Sequence, residues 1–340
     1  MATIKQISEL AGVSIGTVDR VLHNRPGVSE KTKDKVLKIA KELGYKSNVI
    51  GKALVNQRKP KVLGAVILSE KSGYFNALIK NGMDQAMEEI GQFGIKIKYY
   101  FLDSIDVNKA RHLMKKVEED NLSGLIIRPM DDEKIRESIN QFVAKGIPVV
   151  TCSWDIKNSN RMCFVGHDHY KEGRIAANLL TKIMREPGEV GILCSSYNVL
   201  AQRQKITGLT DYLNEKELGV EVKQIVETYN EKQMILEKTL ELLQSNPNIK
   251  ALAIQTSYAE VVCQVVKQLG LERKLIIFHY GLLEPNLLTE NLIDFVIEEN
   301  PALNGYKAVK VLFDKLFYNK EQTEKFIAIE STIKIEESIK

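Results

Sequence analysis

The sequence predicts two modules of different class. They are a small all-α module over residues 1–46 and, after a linker over 47–60, a large two-lobed α/β module with parallel sheets over 61–340. Three observations predict this. Apolar residues recur at helical spacing in the first 45 residues. From residue 62 onward, short apolar runs alternate with amphipathic stretches, which is the pattern of parallel sheets covered on both faces. Charge is also unevenly spread: residues 1–60 carry 12 Lys and Arg against five Asp and Glu, a net +7, while the other 280 carry 36 against 39, a net −3. With 44% apolar and 27% charged residues, the 340-residue chain is neither disordered nor fibrous. It has no apolar run of membrane-spanning length. Its start, MATIKQISEL, lacks the features of a secretory leader. Cys152, Cys163, Cys194 and Cys263 show neither C-x-x-C nor zinc spacing, so reduced thiols in a cytoplasmic protein are expected.

The first helix opens with Thr3-Ile4-Lys5-Gln6, a capping box, and continues through Ile4, Ile7, Leu10 and Ala11. Ala11-Gly12-Val13 makes a tight turn in which Gly12 takes positive φ. Ser14 caps a second helix whose buried face is Val18, Val21 and Leu22, leaving Ile15, Gly16, Thr17, Arg20 and His23 outward. Asn24 to Gly27 break the chain. Ser29 caps a third helix with Val36, Ile39, Ala40 and Leu43 inward, and Gly44 ends it. Three short helices with a glycine turn between the first two form a helix-turn-helix, and the basic excess gives it a polyanion partner.

The A-G-V-S turn, T-V-x-R-V-L, V-S-x-K-T and the E-L-G-Y ending occur in that order across some 45 residues. This stretch resembles the DNA-binding headpiece of the LacI/GalR family of bacterial transcription regulators. The resemblance implies that Ser14, Thr17, Arg20, Lys31 and Thr32 hold phosphates or base edges, and that Ile15 and Gly16 occupy the two positions that choose the operator sequence. Asp19 stands where the family usually has Ser. Residues 48–54 would be too short a helix to stand alone in water. By resemblance they form a hinge helix that orders on DNA, with Asn48 as its cap and Leu54 wedged between base steps in the minor groove. Ser47 replaces the family's usual Pro.

In the large module the strands are expected at Val62–Leu68, Ile95–Phe101, Gly124–Ile127, Ile147–Cys152, Val190–Cys194, Val222–Glu227, Lys250–Gln255, Lys274–His279 and Ile293–Ile297. Helices are expected at Phe75–Ile90, Asp132–Lys145, Tyr170–Met184, Glu231–Gln244 and Tyr258–Gly270. Ligands bind outside the carboxyl ends of such strands, here between the lobes. The chain has no G-x-G-x-x-G, Walker A, G-x-S-x-G or H-E-x-x-H motif, and neither S-x-x-K at Ser331–Lys334 nor His167-Asp168-His169 is supported by partner motifs. No catalytic residue, metal or cofactor is therefore expected.

The order V-L-G-A-V-I-L, G-I-P-V-V-T and V-G-H-D-H-Y-K-E-G-R-I-A-A-N-L-L resembles type I periplasmic sugar-binding proteins and the effector domains of LacI/GalR regulators. By that resemblance the first lobe is about 61–157 plus 296–320, and the second about 158–295 plus 321–340. Carried over position by position, the effector would meet Tyr74, Phe75, Arg128, Ser153, Trp154, Asp168, Lys205 (or Arg203 beside it), Thr256, His279 and Glu299. An Asp that the family usually carries after one strand is replaced in Ile277-Phe278-His279-Tyr280, which points to a modified, acidic or phosphorylated sugar. The expected protein is a homodimeric repressor of carbohydrate-related genes. Its partners would be a palindromic double-stranded operator and a sugar-like effector, with no membrane partner. The alternatives are a solute-binding protein of a sugar transporter and an enzyme fused to a DNA-binding module.

Overall fold

The computed structural model describes residues 3–22, 26–44, 57, 59–184, 186–282 and 284–339. The first module contains α1 (Ile4–Ala11), α2 (Ile15–Leu22) and α3 (Glu30–Glu42). Thr3 caps α1 through a complete capping box, Gly12 takes φ +65° in the turn, and Ser29 caps α3. The core of this module is Ile7, Ala11, Val18, Val21, Val36 and Ala40. At about 1.5–3 kcal/mol for each large buried aliphatic side chain, that core is small for an independent unit. Leu43, expected inward, is exposed, as is Leu10. Leu10 lies in the last turn of α1, and Leu43 is the cap residue just past the end of α3.

The large module contains β1 (Lys61–Leu68), α4 (Tyr74–Ile90), β2 (Ile95–Leu102), α5 (Val107–Glu118), β3 (Gly124–Ile127), α6 (Glu133–Ala144), β4 (Val149–Cys152), β5 (Cys163–Gly166), α7 (His169–Ile183) and β6 (Gly188–Cys194). It continues with α8 (Leu200–Lys216), β7 (Val220–Glu227), α9 (Lys232–Ser245), β8 (Ile249–Gln255), α10 (Ala259–Gln268), β9 (Ile276–Gly281), α11 (Pro285–Thr289), β10 (Phe295–Glu298), α12 (Pro301–Tyr318), β11 (Phe326–Ala328) and β12 (Thr332–Lys334). Two six-stranded sheets result, ordered β11-β5-β4-β3-β1-β2 and β12-β10-β9-β8-β6-β7. Every pairing is parallel except β12 on β10. The central strands are buried along nearly their whole length because helices cover both faces. No helix among the described residues is long and apolar enough to cross a membrane.

The lobes divide differently from the sequence expectation. β5 and β11 belong to the first sheet, and β10 and β12 to the second. The chain therefore passes between lobes at residues 167–168, 299–300 and 329–331, whereas the expected boundaries lay at 157/158, 295/296 and 320/321. Parallel strands pair with partners far away in sequence, so local pattern does not reveal which sheet a four-residue strand joins. The three crossings lie side by side. His167 Nδ1 is 2.9 Å from Ser331 Oγ, and the Asn300 N–H donates to His167 Nε2 at 3.2 Å.

Each lobe is also clamped by a pair of helices that touch backbone to backbone. A methyl group on Gly82 of α4 would sit 1.8 Å from the Ala302 carbonyl oxygen of α12, and one on Gly305 of α12 2.1 Å from that of Ile79. In the second lobe, a methyl group on Gly173 of α7 would sit 2.1 Å from the Lys205 carbonyl oxygen of α8, and one on Gly208 of α8 2.0 Å from that of Tyr170. Only glycine permits approach this close.

Candidate functional site

The first site is the outer face of α2. Burial of Val18 and Val21 turns Ile15, Gly16 and Arg20 to solvent, with Ile15 53% exposed. Ser14 Oγ accepts from the Thr17 N–H at 3.1 Å and lies 2.9 Å from Thr17 Oγ1, closing the start of the helix. Lys31 is exposed and Thr32 half-buried in the first turn of α3, where Ser29 Oγ lies 2.9 Å from Thr32 Oγ1. Two helix N-termini with hydroxyl-bearing caps and nearby cations can hold phosphate oxygens, because free N–H groups and the helix dipole favour negative charge. Asn48 and Leu54 lie outside the described residues.

The second site is a cavity of about 520 Å³ between the lobes, a size ordinary for a small polar ligand. The loop after β1 and the start of α4 bring Tyr74 and Phe75, while Arg128 and Trp154 follow β3 and β4. From the second lobe come Ser195 after β6, Lys205 from α8, Asn230 after β7, Gln255 and Thr256 at the end of β8, His279 and Tyr280 in β9, and Glu299 after β10. Eight of the residues expected from sequence line the cavity: Tyr74, Phe75, Arg128, Trp154, Lys205, Thr256, His279 and Glu299.

Three do not. Asp168 caps α7 by accepting from the Lys171 N–H at 3.0 Å, so its carboxylate serves the helix rather than the cavity. Ser153, held at φ +62°, is buried, and its carbonyl lies 3.0 Å from His169 Nε2. Arg203 turns away from the cavity to pair with Asp131 of the first lobe. Sequence reasoning missed Ser195, Asn230, Gln255 and Tyr280. Each stands at or just past the carboxyl end of a recognised strand, and that position alone was a usable signal.

The cavity floor is a buried charged cluster. Lys205 pairs with Glu299 and lies 3.6 Å from Glu172, which is 2.9 Å from His169 Nδ1. Burial favours the neutral amine of Lys205, but the two carboxylates outweigh it and hold the ammonium above its ordinary range. Burial likewise opposes ionisation of Glu299 and Glu172, and Lys205 reverses that, holding both below the carboxylate range. His279 is pushed down to about 4 by burial, so its ring is neutral, with Nδ1 3.1 Å from the Ile254 carbonyl. His169, Glu172 and Glu299 are spaced to share a metal ion, but the Lys205 ammonium already occupies the cationic place among them.

Several lining groups are buried without a partner: Arg128 Nε, Ser195 Oγ, both polar atoms of the Gln255 amide, and the Tyr280 hydroxyl. Burying a polar group unpaired costs roughly 1–3 kcal/mol. Such a set converging on one cavity fits a ligand rich in hydroxyl groups, with Tyr74, Phe75 and Trp154 offering aromatic surface to its C–H face.

Comparison with known proteins follows the same division. The family described as periplasmic binding protein domain matches residues 64–320, and that described as bacterial regulatory proteins, lacI family, matches residues 3–48. The HTH-type transcriptional repressor PurR of Haemophilus influenzae is 25% identical over 231 residues, which is 67% of this chain and 64% of that protein. The HTH-type transcriptional regulator RegA of Clostridium saccharobutylicum is 31% identical over 153 residues, 44% of each chain. The chain thus spans less than two thirds of the length of these curated relatives. Among solved structures, GanP, a glucose-galactose binding protein from Geobacillus stearothermophilus, superposes with a TM-score of 0.76 at 22% identity, covering 83% of this chain and 99% of that one. At that identity the likeness is one of fold.

Proposed function

Because this chain belongs to the periplasmic binding protein domain family and carries a lacI-family regulatory domain ahead of it, we propose that it is a DNA-binding transcriptional regulator, acting as a repressor under the control of a sugar-like effector. The observation that carries this reading is the joining, in one chain, of a basic helix-turn-helix with an exposed α2 face to an interlobe cavity in which several buried polar lining atoms lack partners. In this reading α2 enters the major groove, with Ile15 and Gly16 at base edges and Ser14, Thr17, Arg20, Lys31 and Thr32 on phosphates or bases. Asn48 and Leu54 belong to the segment that follows the headpiece into the minor groove. The working unit is a homodimer on a palindromic operator, with one headpiece on each half-site.

Tyr74, Phe75, Arg128, Trp154, Lys205, Thr256, His279 and Glu299 form the effector site, and the cleft binds without turnover. An effector held by both lobes stabilises their closed arrangement. It shifts DNA affinity only as far as it binds the two arrangements of the dimer differently.

The test is selection of genomic fragments by the purified protein, with affinities repeated across salt. One enriched palindrome, bound less tightly as salt rises, supports the reading, because phosphate contacts release counterions. Enrichment of no sequence, with and without extracts containing small metabolites, overturns it.

A further inference from the structure

Arg128 lines the cavity from the end of β3. It is buried, with its guanidinium carbon 3.8 Å from the centre of the Trp154 ring and 5.1 Å from that of Phe75. Nη1 donates to Asn76 Oδ1, a neutral acceptor, while Nε is buried with no partner. No carboxylate among the described residues lies within 4 Å of it.

The other charges of the cavity are already matched. Lys205 takes Glu299. At the mouth, Lys232 takes Glu260 at 3.2 Å. Glu298 accepts from the Thr332 hydroxyl at 3.0 Å and lies 3.9 Å from Lys334. Glu284 is pushed up to about 7 by burial and by Glu260 beside it, so much of it is protonated at neutral pH. Arg128 is thus the lining cation with no carboxylate in direct contact: burial pulls it down to about 10, and the attraction of Glu299, which is beyond ion-pair distance, does not offset that. A buried charge is retained in proteins when something pairs with it.

We propose that the effector is a sugar acid, whose carboxylate docks on the edge of Arg128 while its hydroxyls satisfy Ser195, Gln255 and Tyr280. This rests on the reading of the cleft as an effector site and names the chemical class it takes. The Trp154 ring lies against the guanidinium, and the unpartnered Nε is on its N–H edge. A flat carboxylate matches that edge in the plane, oxygen for N–H. A single negative charge also suits a cavity that already holds Glu299 and Glu298. A phosphate dianion would bring a second charge against them.

The experiment is titration calorimetry of the full chain with matched pairs: D-glucose against D-glucuronate, D-galactose against D-galacturonate, and D-glucose against D-gluconate and glucose 6-phosphate. The expected result is that at least one carboxylate binds about tenfold or more tightly than its neutral parent, and that R128M removes this preference. R128K, which keeps the charge without the flat fork, retains part of it and guards against loss of folding in the methionine variant. Equal or tighter binding of the neutral sugars, or tighter binding of the phosphate, overturns the proposal. So does silence toward every sugar by a protein that still selects an operator, and in that case the regulatory reading stands. Failure to select any DNA counts against the regulatory reading alone, because the calorimetry reads the carboxylate preference independently.

Discussion

Arg203 of α8 and Asp131 of the first lobe form an ion pair that spans the two lobes beside the cavity. The contact is reinforced where the Asp131 N–H donates to the Asn198 carbonyl at 2.7 Å, and Asp131 is steadied by Arg136 at 3.1 Å. The pair therefore acts on how the lobes meet without touching what lies between them. Arg203→Ala should weaken the meeting by about 0.5–1 kcal/mol, the value of a partly exposed pair. Effector affinity should fall a few-fold, and the radius of gyration of the free protein should rise in small-angle scattering. An unchanged radius together with unchanged affinity would show that the pair does not hold the lobes.

The helix contacts predict opposite outcomes for one substitution at two glycines. Gly208→Ala forces α7 and α8 apart against the Tyr170 carbonyl and should cost about 1–3 kcal/mol or more in denaturant unfolding. Gly16 sits in α2 with nothing nearer to an added methyl than Ser14 Oγ at 3.8 Å. Gly16→Ala should stabilise the first module by up to about 1 kcal/mol through helix propensity alone. A destabilising Gly16→Ala would mean that α2 is not the regular helix described.

Glu284 makes stability depend on pH. Its carboxyl is held at about 7 in the folded chain, against an ordinary 4.5, so the folded state keeps its proton longer than the unfolded one. This contribution is at its best below pH 4.5 and is lost as the pH climbs through 7. Glu284→Gln should raise the melting temperature at pH 8 and leave it unchanged near pH 4.5. Equal gains at both values would remove the carboxyl as the cause.

Arg20 is exposed on α2, outside the core of its module and distant in sequence from the cavity lining. Arg20→Ala should weaken operator binding about tenfold and reduce the salt slope by about one, while the effector isotherm stays as it is. Gel-shift titrations at three salt concentrations, paired with calorimetry, separate these effects. Undiminished operator affinity would remove Arg20 from the interface.

The first module was almost fully legible in the sequence, because its caps and turn are local: Thr3, Gly12, Ser14 and Ser29 each act on residues within a turn of themselves. Most strands of the large module were legible for a related reason, since burial on both faces writes them as continuous apolar runs. The sheet to which Cys163–Gly166 belongs was not, because that is settled by Val150 and Thr151 across the sheet and by a strand more than 150 residues later. The cavity was half legible. Lys205 and Glu299 could each be placed by motif, but not the fact that they pair with one another. Arg203 and Asp168 carry motif positions and yet spend their charges elsewhere, on Asp131 and on the start of α7.

The three crossings at residues 167–168, 299–300 and 329–331 limit what an effector can do mechanically. A single tether would let the lobes swivel freely. Three tethers laid in parallel and stitched together through His167, Ser331 and Asn300 resist torsion and sliding, leaving bending about one axis as the soft motion. Ligands of quite different shape would then drive the same motion, differing only in how far along it they hold the molecule.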